Sequence, residues 1–281
     1  MTFRIPSLPP ILLLLFFCGA PGTSEPAPSR ASGGVIRIGN SERGGKSAAS
    51  RNFAPILKHL NSSGNHRYEI ETFSNPEDLF DAFRSGKVDA AVLGPVNYVR
   101  AHHEFGAYAV VADGPKYFSV IIVKSDSPIQ KVEELKGKSF AFGYKDSTSS
   151  HLYPLLLLSK ARIKETDLGK HDFVGNHELV TEAVLAGSYD AGGLIAAAFE
   201  SNKARGLRSI ATSDPIPGVP VVVRKDADPR WVEAFRKSLL EFKAVNAASG
   251  DAFSRGATAV TDADYNQIRF LCKILLGEEY K

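Results

Sequence analysis

One pattern occurs in both halves of this chain, and it limits the fold more than any other feature. Leu79-Phe80-Asp81-Ala82-Phe83-Arg84-Ser85-Gly86-Lys87-Val88-Asp89-Ala90 is matched by the stretch from Leu179 through Ala183-Val184-Leu185-Ala186-Gly187-Ser188-Tyr189-Asp190-Ala191. Each copy reads as a helix closed by glycine and followed, two residues later, by a buried strand opening on Asp-Ala. Two unrelated helix-strand units could coincide this far. The elements around them, however, also follow the same order. Helix and strand patterns alternate through both halves, which predicts an α/β fold of two lobes, each a mixed sheet flanked by helices.

The first half begins with a strand at Val35-Ile36-Arg37-Ile38, a polar loop, a helix around Phe53 to Leu60 and a strand at Tyr68 to Phe73. The second begins with Ser139-Phe140-Ala141-Phe142, a loop and a helix from about Ser149 to Ala161. Both halves therefore aim a helix start from the carboxyl edge of a sheet, where such folds bind ligands. Tyr117 to Val123 and Pro220 to Arg224 read as two extended crossings between the lobes. Residues 35–121 and 223–281 are assigned to lobe 1 and 122–222 to lobe 2, with a two-strand hinge that lets them close. Two terminal helices, one from Pro229 to about Ala247 and one after Thr261-Asp262-Ala263-Asp264, are placed back on lobe 1.

Ser147-Thr148-Ser149-Ser150 sits between the second half's first strand and its apolar helix. A helix start leaves its first N–H groups unpaired and partly positive, so hydroxyls gathered there can surround an anion. One of the serines could equally serve as a plain helix cap. His177, after Phe173-Val174-Gly175-Asn176, opens the repeat's second helix and points to the same cleft, or else into solvent. Tyr117, at the crossing, is either a core aromatic or a hydroxyl donor at the hinge.

The first 24 residues hold Arg4 as their only charge, then the run Ile11 to Cys18, then small residues and prolines: the pattern of a secretory signal peptide. The run is too short for a membrane-spanning helix. Phe17 argues against acylation of Cys18, since lipoprotein signals resemble one another in a small residue before the cysteine. A Pro-, Ser- and Ala-rich tether is expected from residue 25 to residue 34. Once the signal is removed, Cys272 is the only cysteine, which excludes an internal disulfide and reads as a small buried hydrophobe. The chain's 34 basic and 31 acidic residues nearly balance. With no basic run, neither nucleic acid nor a membrane surface is an expected partner, and a monomer is expected.

Several chemistries are disfavoured by spacing. Gly39-Asn40-Ser41-Glu42-Arg43-Gly44-Gly45-Lys46-Ser47 misses the phosphate-binding P-loop by one residue, because Asn40 stands where its first glycine belongs. The seven histidines show no metal-ligand spacing, and His102 and His103 are expected to face water. No Gly-x-Ser-x-Gly turn or base pair accompanies the serines, so no enzyme, cofactor or metal is expected.

Taken together, Asp89-Ala90 with Gly94-Pro95 and Tyr98, Tyr117 with Ser119 to Val123, Leu135-Lys136-Gly137-Lys138 before Ser147-Thr148-Ser149, Gly175 and His177 before Gly187 and Asp190, and Ile216-Pro217-Gly218 with Pro220 resemble the phosphonate-type periplasmic substrate-binding proteins of ABC transporters. The resemblance implies a type II periplasmic-binding fold and a small phosphorus oxyanion held by Tyr117, Ser147, Thr148, Ser149 and His177, with Gly94, Pro95 and Ser150 as further candidates. It also implies an ABC permease and its ATPase as partners. A sensor of the same fold controlling a membrane kinase or other complex is the alternative. Ser150 stands where relatives often carry glycine, and Glu77 where some have an aromatic. Ala197 and Val219 fall where relatives that take aminoalkylphosphonates use carboxylates, which favours phosphate, phosphite or a small alkylphosphonate.

Overall fold

The computed structural model describes residues 34–41, 53–62, 66–244 and 251–280. The expected signal peptide, the tether and the polar loop from residue 42 to 52 lie outside them. The first half supplies β1 (Val35–Ser41), α1 (Ala54–Ser62), β2 (Arg67–Phe73), α2 (Pro76–Arg84), β3 (Ala90–Val92), α3 (Pro95–Phe105) and β4 (Tyr108–Tyr117). The second supplies β5 (Ser119–Lys124), β6 (Phe140–Phe142), α4 (Tyr153–Lys160), β7 (His171–Phe173), α5 (His177–Leu185), β8 (Ala191–Ile195), α6 (Ala196–Asn202) and β9 (Leu207–Thr212). The chain then adds β10 (Ile216–Val223), α7 (Pro229–Glu241), β11 (Ala257–Thr258) and α8 (Asn266–Leu271).

These strands form two mixed sheets, ordered β2-β1-β3-β10-β4-β11 and β7-β6-β8-β5-β9. In each, a parallel trio built by one half meets an antiparallel strand, β10 or β5, at the same place. The repeat seen in the sequence underlies this likeness. Asp89 accepts a hydrogen bond from the Arg37 backbone N–H at 2.8 Å, and Asp190 accepts one from Ser139 N–H, also at 2.8 Å. Each aspartate thus pins the start of its own strand to the start of the neighbouring one. Gly86 and Gly187 both turn at φ +73, a left-handed conformation that side chains resist.

Strand membership moves the lobe boundaries. Ser119 to Ile121, assigned by the sequence to lobe 1, already pair in the second sheet, and residues 216–222, assigned to lobe 2, pair in the first. The crossings are therefore Phe118 and residues 213–215. Proline usually starts a strand or sits at an edge, which is why Pro220 reads as a strand start. Here Pro217 and Pro220 lie where β10 has outrun β3, whose pairing covers only Val221 to Val223, so no ladder bond to β3 is lost.

The core of lobe 1 gathers Ile38, Phe80, Phe83, Val99 and Val222 with Trp231 and Phe235 of α7 and Ile268 and Leu271 of α8, as expected of helices that return to this lobe. Helix α7 ends at Glu241, short of the expected Ala247, and residues 245–250 lie outside the described residues. The Thr261–Asp264 capping box is present. Cys272 is fully buried, and burial pushes its thiol up to about 12, so it packs as a small hydrophobe. After α8 the chain makes a π turn, Cys272–Leu276, whose Leu275 and Leu276 pack against the cores of both lobes. His103 is exposed, but His102 is half-buried, with its Nδ1 2.8 Å from the Ala107 carbonyl oxygen. That carbonyl follows the helix end and needs a partner, which draws the ring inward.

Candidate functional site

Strand ends and helix starts converge where the lobes meet. Helices α2 and α3 open with Pro76 and Pro95 at their first positions, where a missing N–H costs nothing. In lobe 2, Ser147 caps the next turn by accepting from Ser150 N–H at 3.1 Å, and Asn176 caps α5 by accepting from Leu179 N–H at 3.0 Å. Between these four starts is a cavity of about 90 Å³. Since roughly 10–15 Å³ admits one water, it suits a small anion rather than a nucleotide-sized ligand.

The hydroxyl segment is not a regular helix start. Thr148–Leu152 forms a π turn before α4, closed by Leu152 N–H to the Ser147 carbonyl at 3.0 Å. Pro154 explains it, because it has no N–H to offer the Ser150 carbonyl four residues back. Gly143 N–H takes that carbonyl at 3.0 Å instead, tying the turn to the end of β6. The turn holds residues 147–150 against the cavity.

Their side chains have separate duties. Ser147 Oγ lies 2.9 Å from Ser150 Oγ, which lies 3.2 Å from His177 Nδ1, so one chain of polar groups links the two helix starts of lobe 2. Thr148 Oγ1 accepts from Val96 N–H of α3 at 3.1 Å, across the lobes. A second bond across the lobes runs from Asn97 Nδ2 to Asp146 Oδ2. Ser149 Oγ has no protein partner among the described residues, while its carbonyl accepts from Ser119 Oγ at 2.6 Å. Ser119 N–H donates to Ser213 Oγ at 3.0 Å and Ser213 N–H to the Ser119 carbonyl at 2.8 Å, so the two crossings are clasped together directly beneath the site.

The structure thus brings Tyr117, Ser147, Thr148, Ser149, Ser150, His177 and Gly94 to one cavity wall or another. Pro95 is buried at the start of α3 but does not line the cavity. Val219 lines it, whereas Ala197 is exposed on α6 and Glu77 points away to Arg100, which donates to it at 2.9 and 3.1 Å. Among the described lining residues there is no lysine or arginine, and the only charged group is Asp146. Burial pushes the Asp146 carboxyl up. Asn97, Asp146 and Tyr144 escaped the sequence reading; only Asn176, an asparagine just before a helix, carried a signal that could have found it. No group of three metal-ligating side chains occurs among the described residues.

Residues 44–265 match the family described as the periplasmic substrate-binding protein of the phosphonate ABC transporter. The chain belongs to this family. Among its relatives, the phosphate-import protein PhnD of Mycolicibacterium smegmatis is 24% identical, over 96% of this chain and 95% of that one. The phosphonates-binding periplasmic protein of Escherichia coli is 32% identical over 56% of this chain and 52% of its own length. The fold matches that of PhnD1 from Prochlorococcus marinus, solved with methylphosphonate, at a TM-score of 0.75 and 19% identity, covering 87% of this chain and 99% of that one. A binding component of an ABC phosphonate transporter from Pseudomonas aeruginosa gives 0.69 at 23% identity, covering 85% and 86%.

Membership of this family makes the protein a substrate-binding component of an ABC transporter, working outside the cytoplasm. Among the described residues, no helix is long and apolar enough to cross a membrane. The two-lobed α/β architecture read from the repeat is the fold these relatives share.

Proposed function

We propose that the protein captures one small phosphorus oxyanion, a phosphonate, phosphate or phosphite, between its lobes and delivers it to an ABC permease and its ATPase. The carrying observation is a small cavity at four helix starts that is lined by hydroxyls and a histidine, with no lysine or arginine among its described residues. Neutral donors and helix termini stabilise an anion without a counter-charge that would hold it too tightly to release. Tyr117, Ser147, Thr148, Ser149 and His177 are the assigned ligand residues, with Gly94 and Ser150 beside them. The Ser149 hydroxyl is available to donate. Thr148, accepting from Val96 N–H, retains its own proton for the ligand, so the group that binds also holds the lobes closed.

The alternative role as a sensor for a membrane kinase has no observation in its favour. We assign a monomer exported by its amino-terminal signal, with Phe17 disfavouring an anchor at Cys18. Calorimetry and thermal shifts with phosphate, phosphite, methylphosphonate and 2-aminoethylphosphonate test the reading. One of the first three should bind most tightly, and ligand at 100 times its Kd should add roughly 2.7 kcal/mol of stability. Failure of all four to bind would remove the oxyanion assignment, and preference for the last would show that the absence of carboxylates at Ala197 and Val219 was misread.

A further inference from the structure

Among the described residues the site carries a carboxylate and no lysine or arginine, an unusual arrangement for an anion, and the groups around Asp146 suggest why it is there. Asn97 is only 2% exposed, yet its Oδ1 is buried with no hydrogen-bond partner. Its Nδ2 is committed to Asp146 Oδ2, which fixes the amide with Oδ1 as the outstanding acceptor. The second oxygen of Asp146 has no side-chain partner among the described residues. Both residues line the cavity, and Asp146 immediately precedes the Ser147-Thr148-Ser149 run. The Asp146 carboxyl, held by Asn97, is therefore the acceptor this corner brings to the cavity, and a buried acceptor left empty is costly.

Among the described residues, no nearby charge relieves it. Arg100 of α3 is the cation on that side, and it already donates to Glu77 of α2 and to Glu104 at 2.8 Å. Glu77 itself opposes ionisation of Asp146, and Arg100 favours it only weakly after burial is counted. Lys145 is exposed, and Glu278 with Tyr280 lies across the outer groove.

We propose that Asp146, positioned by Asn97, reads a proton on the ligand: its carboxylate accepts the P–OH of a phosphorus oxyanion and thereby rejects sulfonates and sulfate, which have the same shape and no such proton at neutral pH. The inference rests on the oxyanion reading above and adds the basis of its selectivity. The proton is shared by the pair formed between carboxylate and ligand, so either a protonated oxyanion meets Asp146 as carboxylate or a fully ionised one meets it as acid. A sulfonate can enter only if Asp146 takes up a proton from solvent. Asp146 lines the same small cavity as Ser147, Thr148 and Ser149, and the outer groove beyond it, so an anion held at the hydroxyls shares that cavity with the carboxyl.

The test compares methylphosphonate with methanesulfonate, an isosteric pair, by calorimetry on the mature protein at pH 6 to 8. The wild type should prefer methylphosphonate by on the order of 100-fold at pH 7, and methanesulfonate affinity should fall towards tenfold for each unit of rising pH, with one proton taken up as seen in buffers of different ionisation enthalpy. Asp146→Asn, which retains an acceptor and a partner for Asn97, should tighten methanesulfonate and reduce the preference by about tenfold or more. An unchanged ratio, with both ligands weakened equally, would make Asp146 a closing contact and overturn the proposal. So would pH-independent sulfonate binding to the wild type, which needs no variant to fold. If 2-aminoethylphosphonate alone loses affinity in Asp146→Asn, the carboxylate holds an amine and the proposal is wrong. If neither methylphosphonate, phosphate nor phosphite binds the wild type, the oxyanion reading itself falls; if methylphosphonate and methanesulfonate bind alike, only this inference does.

Discussion

The two lobes are built on one plan but meet the cavity with different chemistry. Lobe 2 contributes hydroxyls, His177 and helix starts whose caps are already made by Ser147 and Asn176. Lobe 1 contributes mostly apolar walls, Leu79, Val92, Leu93 and Val219, with Ser41, Asn97 and Tyr117 as its polar groups, and its α3 begins at Gly94 with no side-chain cap. The first N–H groups of α3 find an acceptor only across the gap, where Val96 reaches Thr148. Lobe 2 is thus the prearranged half that can meet the ligand first, and lobe 1 is the half that is completed by closing.

Thr148→Val would break this comparison most severely, because it removes both the ligand's donor and the acceptor for Val96. Loss of one good hydrogen bond to a charged ligand is about 1.5–3 kcal/mol, so affinity for the bound oxyanion should fall on the order of 10- to 150-fold by calorimetry. Unaltered binding would mean that α3 is not capped from lobe 2. Next in size is Ser149→Ala. Its hydroxyl has no protein partner among the described residues, so we expect about a tenfold weaker affinity with an unchanged urea midpoint. A loss of stability instead would make it a packing residue.

The caps sharpen the comparison at a smaller scale. Removing either cap should lower unfolding free energy by about 1 kcal/mol. Asn75→Ala, which removes the cap that accepts from Asp78 N–H on lobe 1, should do this with ligand binding intact, whereas Ser147→Ala should affect both. Equal effects of the two variants on binding would erase the distinction between the lobes.

The smallest effect expected is one of pH. His151 is buried on lobe 2, with Nδ1 against the Lys145 carbonyl, and burial, its main influence, lowers its pKa below the ordinary 6.5. The unfolded chain then binds the proton more readily, so this contribution to stability is complete above pH 6.5 and is lost as pH falls through the folded value. Asp146 acts with the opposite sign: its raised carboxyl favours the native state most below 3.8, and that contribution disappears as pH rises through the folded value. In Asp146→Asn, which leaves the His151 contribution unopposed, hydrogen exchange at pH 7 and pH 5.5 should therefore show lobe 2 loosening before lobe 1, by a fraction of the 1.4 kcal/mol per pH unit that one proton allows. Uniform loosening would count against it.

Much of the fold was legible because its signals are local. A glycine separated by two residues from Asp-Ala marks the helix end and strand start in both copies, and the apolar runs between such marks leave few alternatives. The hydroxyl run was legible for the same reason, as was the capping box at Thr261. What stayed hidden depends on partners far along the chain. Asn97 looks like any polar residue in the first turn of a helix until Asp146 is placed against it, and nothing within the hydroxyl run identifies Thr148 as the residue that reaches α3. The pairing at the crossings was hidden for the same reason: nothing local shows that Ser119 pairs with Ile195 or Ile216 with Tyr117.

The position of β10 has a consequence for how the molecule is assembled. Among the described residues, β4 pairs in the first sheet only with β10 and β11, and both are encoded after the whole of lobe 2. A chain that emerges amino end first must leave β4, with Val110 and Val111, as an open strand edge until residue 216 is available. Lobe 2, running without interruption from Ser119 to Thr212, has every strand of its sheet in hand by then. The lobe that begins the sequence is accordingly the last to be finished, and a nascent chain stalled before β10 would expose a sticky edge beside an already folded neighbour.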